Sequence, residues 1–182
     1  MKNYPKIITF VPLFIFLISV SCKKEKLTKE TQTGANTFSC KVDGVIHIPN
    51  DEAFGPRAIS ASLSLNREDP NFYNLNILTN YSRNEPAENV YITLYKINQI
   101  GVYKLSGNAS KYGTYILDKL NKSTGFFGVT YDSRKFNNGE VSITKLDLVN
   151  RIVAGTFWFE ATNENYPNDK FSITDGRFDL KL

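Results

Sequence analysis

From Thr37 onward, apolar and polar residues alternate with a period of two, and this pattern limits the fold more than any other feature. Phe38, Cys40 and Val42 alternate with polar residues, and the same rhythm runs through residues 59–65. Similar runs recur through the rest of the chain. Because successive side chains of a β-strand point to opposite faces, the alternation predicts strands with one buried face.

Helical patterns are missing from the same region. No segment carries apolar residues at the i, i+3, i+4, i+7 spacing of an amphipathic helix. Residues 111–122 come nearest to that spacing, but Gly113, Thr114 and Tyr115 favour a strand there. Asn and Gly cluster between the apolar runs, as is typical of all-β folds.

The sequence therefore predicts a single all-β domain over residues 37–182, with about ten strands. That many strands in one antiparallel sheet system must curl or split into two packed layers. An antiparallel β-sandwich and a flattened up-and-down barrel both stay open. Short, local connections favour a meander over a Greek key.

Three short motifs predict local geometry. Asp43-Gly44 between two apolar runs predicts a two-residue hairpin turn. Gly155 interrupts the apolar face of residues 152–161 and indicates a bend or a close backbone approach. The apolar phase changes from odd to even positions across residues 174–176, which predicts a β-bulge. Two separate short strands around a turn are the alternative there.

The N-terminus reads as an export signal. Lys2 and Lys6 precede the apolar run of residues 7–20. At about 1.5 Å per residue, a helix of this length spans only about 21 Å and falls short of a bilayer core. The run therefore predicts a signal peptide over residues 1–21 rather than a membrane-spanning helix.

Residues 17–22 read Leu-Ile-Ser-Val-Ser-Cys and resemble a bacterial lipobox, in which a small residue precedes the modified cysteine. Ser21 fits that place, and Ser19 departs from the stricter pattern, which prefers Leu. The resemblance implies a diacylglycerol thioether and an amide-linked acyl chain such as palmitate on Cys22. Several chains suit stable anchoring, because one chain binds membranes only marginally. Ordinary secretory cleavage, with Cys22 as a spare thiol, is the alternative.

Residues 22–36 are predicted to be the lipidated Cys22 and a flexible tether, because Leu27 is their only large apolar residue. Lys23 and Lys24 follow Cys22, and an aspartate that would signal retention in the inner membrane is missing. We therefore expect a lipid anchor in the outer membrane, with its periplasmic and surface faces both open.

The formal net charge of +4 first suggests an acidic partner such as nucleic acid. The position of this charge along the sequence argues against such a partner. The lysines of the signal peptide and the surplus of lysines in the tether account for the whole charge, so residues 37–182 are neutral. Nucleic-acid binding thus loses its electrostatic basis. One His and two Cys are too few for a zinc or iron–sulfur site, and we expect no cofactor.

Catalytic patterns are weak. His47 is the only imidazole, and its surroundings favour a strand-surface or hairpin residue without a catalytic role. Cys40 shares a face with apolar residues and is predicted to be a small buried hydrophobe. Scattered acids, with Asp147 and Glu160 as examples, leave a carboxylate-based glycan hydrolase as the alternative function. Asp147 and Asp175 are interpreted first as turn or bulge residues, with calcium binding a distant second.

Trp158 and Glu160 are the candidate ligand-binding residues. They share one face of a strand, opposite Phe157 and Phe159. On a sheet with one core, Trp158 points to solvent or a cleft, where an indole can stack on a sugar or a peptide. A covering loop or a closed barrel would bury it instead, and we favour that interpretation.

Two segments resemble a family of envelope lipoproteins that carry a domain of unknown function. One is the opening Phe38-Ser39-Cys40-Lys41-Val42-Asp43-Gly44. The other begins at residues 138–147, continues through Gly155-Thr156-Phe157 and closes with Thr174-Asp175-Gly176-Arg177-Phe178. Cys40 and Trp158 stand where smaller residues are commoner in that family. The resemblance implies an all-β lipoprotein domain and no particular activity.

Together these observations predict a lipid-anchored cell-envelope protein with a non-catalytic binding or structural role. The membrane is the expected partner through the anchor. A small molecule, a glycan or another envelope protein is the further expected partner. In one version of this hypothesis, a small apolar or glycan ligand lies in a barrel mouth or sandwich cleft lined by aromatic residues.

Overall fold

The computed structural model describes residues 26–49, 58–81, 87–105, 110–121, 125–134, 138–163 and 165–182. The predicted signal peptide, Cys22 and the start of the tether lie outside these residues. No helix in the described part of the chain is long and apolar enough to cross a membrane.

The described residues form eleven antiparallel strands, which confirms the all-β fold class, and Gly113, Thr114 and Tyr115, which argue against a helix in sequence, lie in a strand. The strands are β1 (Thr37–Val42), β2 (Val45–His47), β3 (Ile59–Leu65), β4 (Tyr73–Tyr81), β5 (Ala87–Ile97), β6 (Gly101–Lys104), β7 (Lys111–Asn121), β8 (Gly125–Asp132), β9 (Gly139–Asp147), β10 (Ile152–Asn163) and β11 (Lys170–Lys181).

All the strands belong to one sheet with the order β2-β1-β11-β10-β8-β7-β5-β4-β3, while β9 pairs with β10 and β6 pairs with β9. Most neighbours in the sheet are near in sequence, as in a meander. One edge of β10 is shared, because β9 pairs along residues 152–159 and β8 pairs only at Thr162 and Asn163. The sheet therefore divides at β10 into two branches.

The sheet curls until distant strands meet. His47 in β2 and Glu88 in β5 are six steps apart in the strand order, yet His47 Nδ1 lies 3.4 Å from Glu88 Oε2. The curl encloses one core, as a sandwich or a flattened barrel does. The largest fully buried side chains of that core are Tyr115, Phe38, Phe159, Leu75, Ile77, Ile92, Leu94, Ile97, Leu105, Ile143, Ile173 and Leu180.

The predicted local geometry is confirmed. Val42 pairs with Val45 across Asp43 and Gly44, which both have positive φ, as in a two-residue hairpin turn. A Cβ atom on Gly155 would lie 2.2 Å from the carbonyl oxygen of Ser142, so the two backbones approach closely.

The register of β11 with each of its neighbouring strands, β10 and β1, shows the bulge. Phe157 pairs with Gly176 while Phe159 pairs with Ile173, so β11 has one extra residue there. The pairing of β1 with β11 shifts by one residue at the same place. Asp175 takes a positive φ of 52° within it. This extra residue restores the apolar face of β11 to the core after the change of phase.

Residues 26–36 lie across the outer side of β11, and we call them the strap. Thr31 Oγ1 and the backbone N–H groups of Thr33 and Gly34 donate to the Asp179 carboxylate at 2.6–2.9 Å. Asn36 Oδ1 accepts from the N–H of Lys181. The contacts named here are hydrogen bonds. Part of the segment that the sequence predicts to be a tether is therefore docked on the sheet.

Candidate functional site

Trp158 lies on the outer face of the sheet, with 41% of its surface exposed. The favoured interpretation, that a loop or a closed barrel buries it, is wrong. The alternation along β10 turns Phe157 and Phe159 into the core, so the indole between them must point outward.

Cross-strand register places polar residues around the indole. Glu140 of β9 is the direct partner of Trp158, and Thr156 of β10 pairs with Ser142 on one side and Arg177 on the other. Directly opposite side chains lie on the same face of a sheet. On the β11 side, the bulge brings Asp175 next to Trp158 in place of a regular partner.

These side chains line a cleft of about 260 Å³, which we call the Trp158 cleft. Besides Trp158, its polar lining consists of Glu30, Glu140, Ser142, Thr156, Asp175 and Arg177. Glu30 belongs to the strap, so one wall of the cleft comes from outside the sheet. The volume lies just below the roughly 300–1,000 Å³ of small-molecule pockets. A single ring-sized group matches it.

The charges of the cleft are paired. Lys104 donates to Glu140, and Lys41 Nζ lies 2.8 Å from Asp175 Oδ2. The hydrogen bond and charge of Lys41 lower the pKa of Asp175, so this carboxylate is ionised at neutral pH. Arg177 Nη1 lies 3.6 Å from Glu30 Oε1 and donates to the carbonyl oxygen of Thr28.

The arrangement is suited to binding. An indole face offers stacking area, and carboxylates and a guanidinium offer hydrogen-bond acceptors and donors around it. Asp175 does not fit the role of a general acid, which needs a raised pKa, because its pKa is lowered.

Glu160 does not reach the cleft. It lies on the same face two residues beyond Trp158, but its carboxylate is 3.8 Å from Lys170 Nζ. Asp147 pairs with Ile152 at the other end of β10 and caps the β9–β10 turn through Asn150. These bonds lower the pKa of Asp147 to about 2.

Asp147 and Glu160 therefore do not form a carboxylate pair. Eight residues of strand separate their positions along β10, which corresponds to about 26 Å at about 3.3 Å per residue. Glycosidase carboxylates lie roughly 5–10 Å apart. Across the described ranges, no group of three His, Cys, Asp or Glu residues could hold a metal ion.

His47 and Cys40 are part of the interior. His47 lies in the hairpin strand β2, but it is buried rather than on the strand surface. Cys40 is fully buried, as predicted, and burial followed by the charge of Glu88 raises the pKa of its thiol. A protonated, enclosed thiol is a poor nucleophile.

The all-β domain with its outer-face cleft matches a known family over more than half of the chain. Residues 71–179 match the family described as a domain of unknown function, DUF6252, and the chain belongs to that family. The match covers the sheet residues of the Trp158 cleft and ends at Asp179. The comparison with curated proteins finds no match. The comparison with solved structures finds none either.

Proposed function

We propose that the chain is a lipid-anchored protein of the cell envelope, held in the outer membrane through Cys22, and that it binds a sugar ring in the Trp158 cleft without catalysing a reaction. The half-exposed indole among paired acidic and basic side chains is the single observation that carries the binding role. A sugar has an apolar ring face and a rim of hydroxyl groups, which matches this combination of groups.

The anchor rests on the resemblance of residues 17–22 to a lipobox and on the short apolar run before it. We expect Cys22→Ala to release the chain from the membrane fraction, because the acyl chains supply the membrane affinity. Fractionation of cells that express both forms tests this. Equal membrane partition of the two forms would refute the lipid anchor.

The binding role is testable because Trp158 is the only tryptophan of the chain. Its fluorescence therefore reports on the cleft alone. We expect saturable changes in its emission when the soluble Cys22→Ala chain is titrated with a panel of neutral and amino sugars and short oligosaccharides.

Glu140→Gln and Glu160→Gln form a matched pair for this titration. Both residues lie on the outer face, but only Glu140 lines the cleft. Glu140→Gln should weaken binding, with loss of a charged hydrogen bond costing about 1.5–3 kcal/mol. Glu160→Gln should leave binding unchanged. Equal effects of the two variants, or no response to any sugar, would contradict the proposal.

A further inference from the structure

The strap brings the anchor side of the chain to the Trp158 cleft. Thr28 lies beside the cleft, because its backbone N–H bonds to Ser39 Oγ and its carbonyl accepts from Arg177. Glu30 forms part of the cleft wall. The chain therefore leaves the described domain on the outer face of the sheet, next to Trp158.

The reach from the anchor to the strap is short. Four residue steps separate Cys22 from Lys26, and they span at most about 14 Å when fully extended. A tether that was free up to Thr37 could extend about 50 Å. Docking of the strap thus keeps the start of the domain close to the residue that we propose to be lipidated.

The surface around the cleft suits a lipid surface. Val102 of β6 and Trp158 are 58% and 41% exposed on the outer face. Lys26 and Lys29 are exposed on the strap, whereas Lys104, on the same strand as Val102, is paired with Glu140. Tryptophan favours the interface between headgroups and acyl chains, and lysines near a membrane gain about 1 kcal/mol each from anionic lipids.

We infer that the outer face with the Trp158 cleft lies against the membrane that holds Cys22. This inference rests on the lipid anchor of the proposed function. It makes the lipid surface the partner of this face, and it assigns the strap the role of orienting the domain on that surface.

Fluorescence quenching tests the orientation. The lipidated full chain is reconstituted into vesicles of phosphatidylcholine and phosphatidylglycerol, with or without phosphatidylcholine that carries a nitroxide on its headgroup. We expect the labelled vesicles to remove most of the Trp158 emission, because nitroxides quench at short range.

A second reporter provides the matched control. Trp158→Phe combined with Ser62→Trp moves the only indole to the exposed outer side of β3, whose neighbours Ala61 and Leu63 face the core, and β3 pairs with β4 rather than with any strand that lines the cleft. This reporter should keep its emission in the labelled vesicles. Equal quenching of both reporters, or no quenching of Trp158 in a chain that floats with the vesicles, would overturn the orientation. A chain that does not float refutes the lipid anchor instead, so the two failures are distinguishable.

Discussion

Asp179 is the residue that joins the strap to the sheet. It is 1% exposed, and its carboxylate accepts four hydrogen bonds from Thr31, Thr33 and Gly34. Burial alone would raise its pKa, but the hydrogen bonds from the strap lower it on balance. A buried carboxylate whose lone pairs are satisfied by a separate segment acts as a clamp for that segment.

We expect Asp179→Asn to loosen the strap and to lower the free energy of unfolding by about 1.5–3 kcal/mol, the range for hydrogen bonds to a charged group. The amide keeps one acceptor oxygen but introduces two N–H donors opposite other donors. Urea unfolding measures the stability, and amide hydrogen exchange of residues 26–36 measures the docking.

Asp175→Asn is the matched control on the same strand. Its side chain is half exposed and pairs with Lys41, and asparagine tolerates the positive φ at this place. We expect a change of at most about 1 kcal/mol, as for surface ion pairs. Equal exchange rates for the strap in the Asp179 variant and the unmodified chain would show that the clamp is not needed.

For single residues, the sequence predicts the strand face of Trp158 and the burial of Cys40 correctly, but the favoured interpretation that Trp158 is covered is wrong. Alternation places Trp158 opposite Phe157 and identifies Cys40 as a core residue. Glu140 and Arg177 join Trp158 only through the register of three strands, which one sequence does not specify. Glu160 shares the strand face of Trp158, but Lys170 from β11 pairs with it instead.

Among the elements, β9, β10 and β11 fit closely against one another. Gly155 admits the backbone of β9, and a Cβ at Gly176 would overlap the ring of Phe157. Phe157 in turn packs near Phe38 and Phe178. Close backbone contact and ring packing therefore hold the strands that carry the cleft.

Gly155→Ala should destabilise the domain by about 1–3 kcal/mol or more, because overpacking forces the backbones of β9 and β10 apart. Gly44→Ala is the control. Gly44 has a positive φ, but a Cβ added there would have no atom within 4 Å, so only the backbone cost of about 1–2 kcal/mol applies. Thermal unfolding compares them, and a smaller loss in the Gly155 variant would contradict the steric explanation.

Elements whose geometry is specified by a few neighbouring residues can be predicted from the sequence. The β1–β2 hairpin follows from Asp43-Gly44, and the bulge follows from the change of phase across residues 174–176, because both depend on neighbouring residues. The strap carries no such signature. Its threonines resemble those of any polar linker, and Asp179, which orders them, is remote in sequence.

For the whole molecule, the curl of the sheet places ionisable groups in one interior. Glu88 of β5 lies near His47 of β2 and Tyr115 of β7. Burial, followed by the charge of Glu88, raises the pKa of Tyr115. β5 and β7 are neighbours, whereas β2 lies six steps from β5 in the strand order, so the contact of His47 with Glu88 joins remote parts of the curled sheet.

Acid should weaken the fold at low pH. The folded-state pKa values of Asp147, Asp175 and Asp179 lie below the ordinary value of 3.8. Their contribution is therefore present above that pH and is lost as the pH falls through the lowered values. We expect the urea midpoint to fall between about pH 4 and pH 2.

Asp179→Asn should make this loss smaller, since one of the three groups no longer titrates. Urea unfolding followed by circular dichroism at several pH values measures both chains. A midpoint that is constant down to about pH 2 would contradict the lowered pKa values. The same dependence in both chains would exclude Asp179 as a contributor.

The fold class follows from alternation alone, whereas the arrangement of the layers does not. Each strand has one apolar face, but any of several pairing orders buries those faces. The contact of His47 with Glu88, and the pairing of Thr37 with Asp179, are long-range facts. Periodicity depends on residues that are close in sequence, so it does not predict these long-range contacts.

The pairing of β1 with β11 joins the first strand of the chain to its last. Among the described strands, β1 otherwise pairs only with the three-residue β2. Contacts between segments that are remote in sequence slow folding. The strap depends on the same strand, because Asp179 lies on β11. We therefore expect β1 and the strap to dock in one late step of folding, after β11 is present, and until then the apolar side of β1 is uncovered and prone to aggregation.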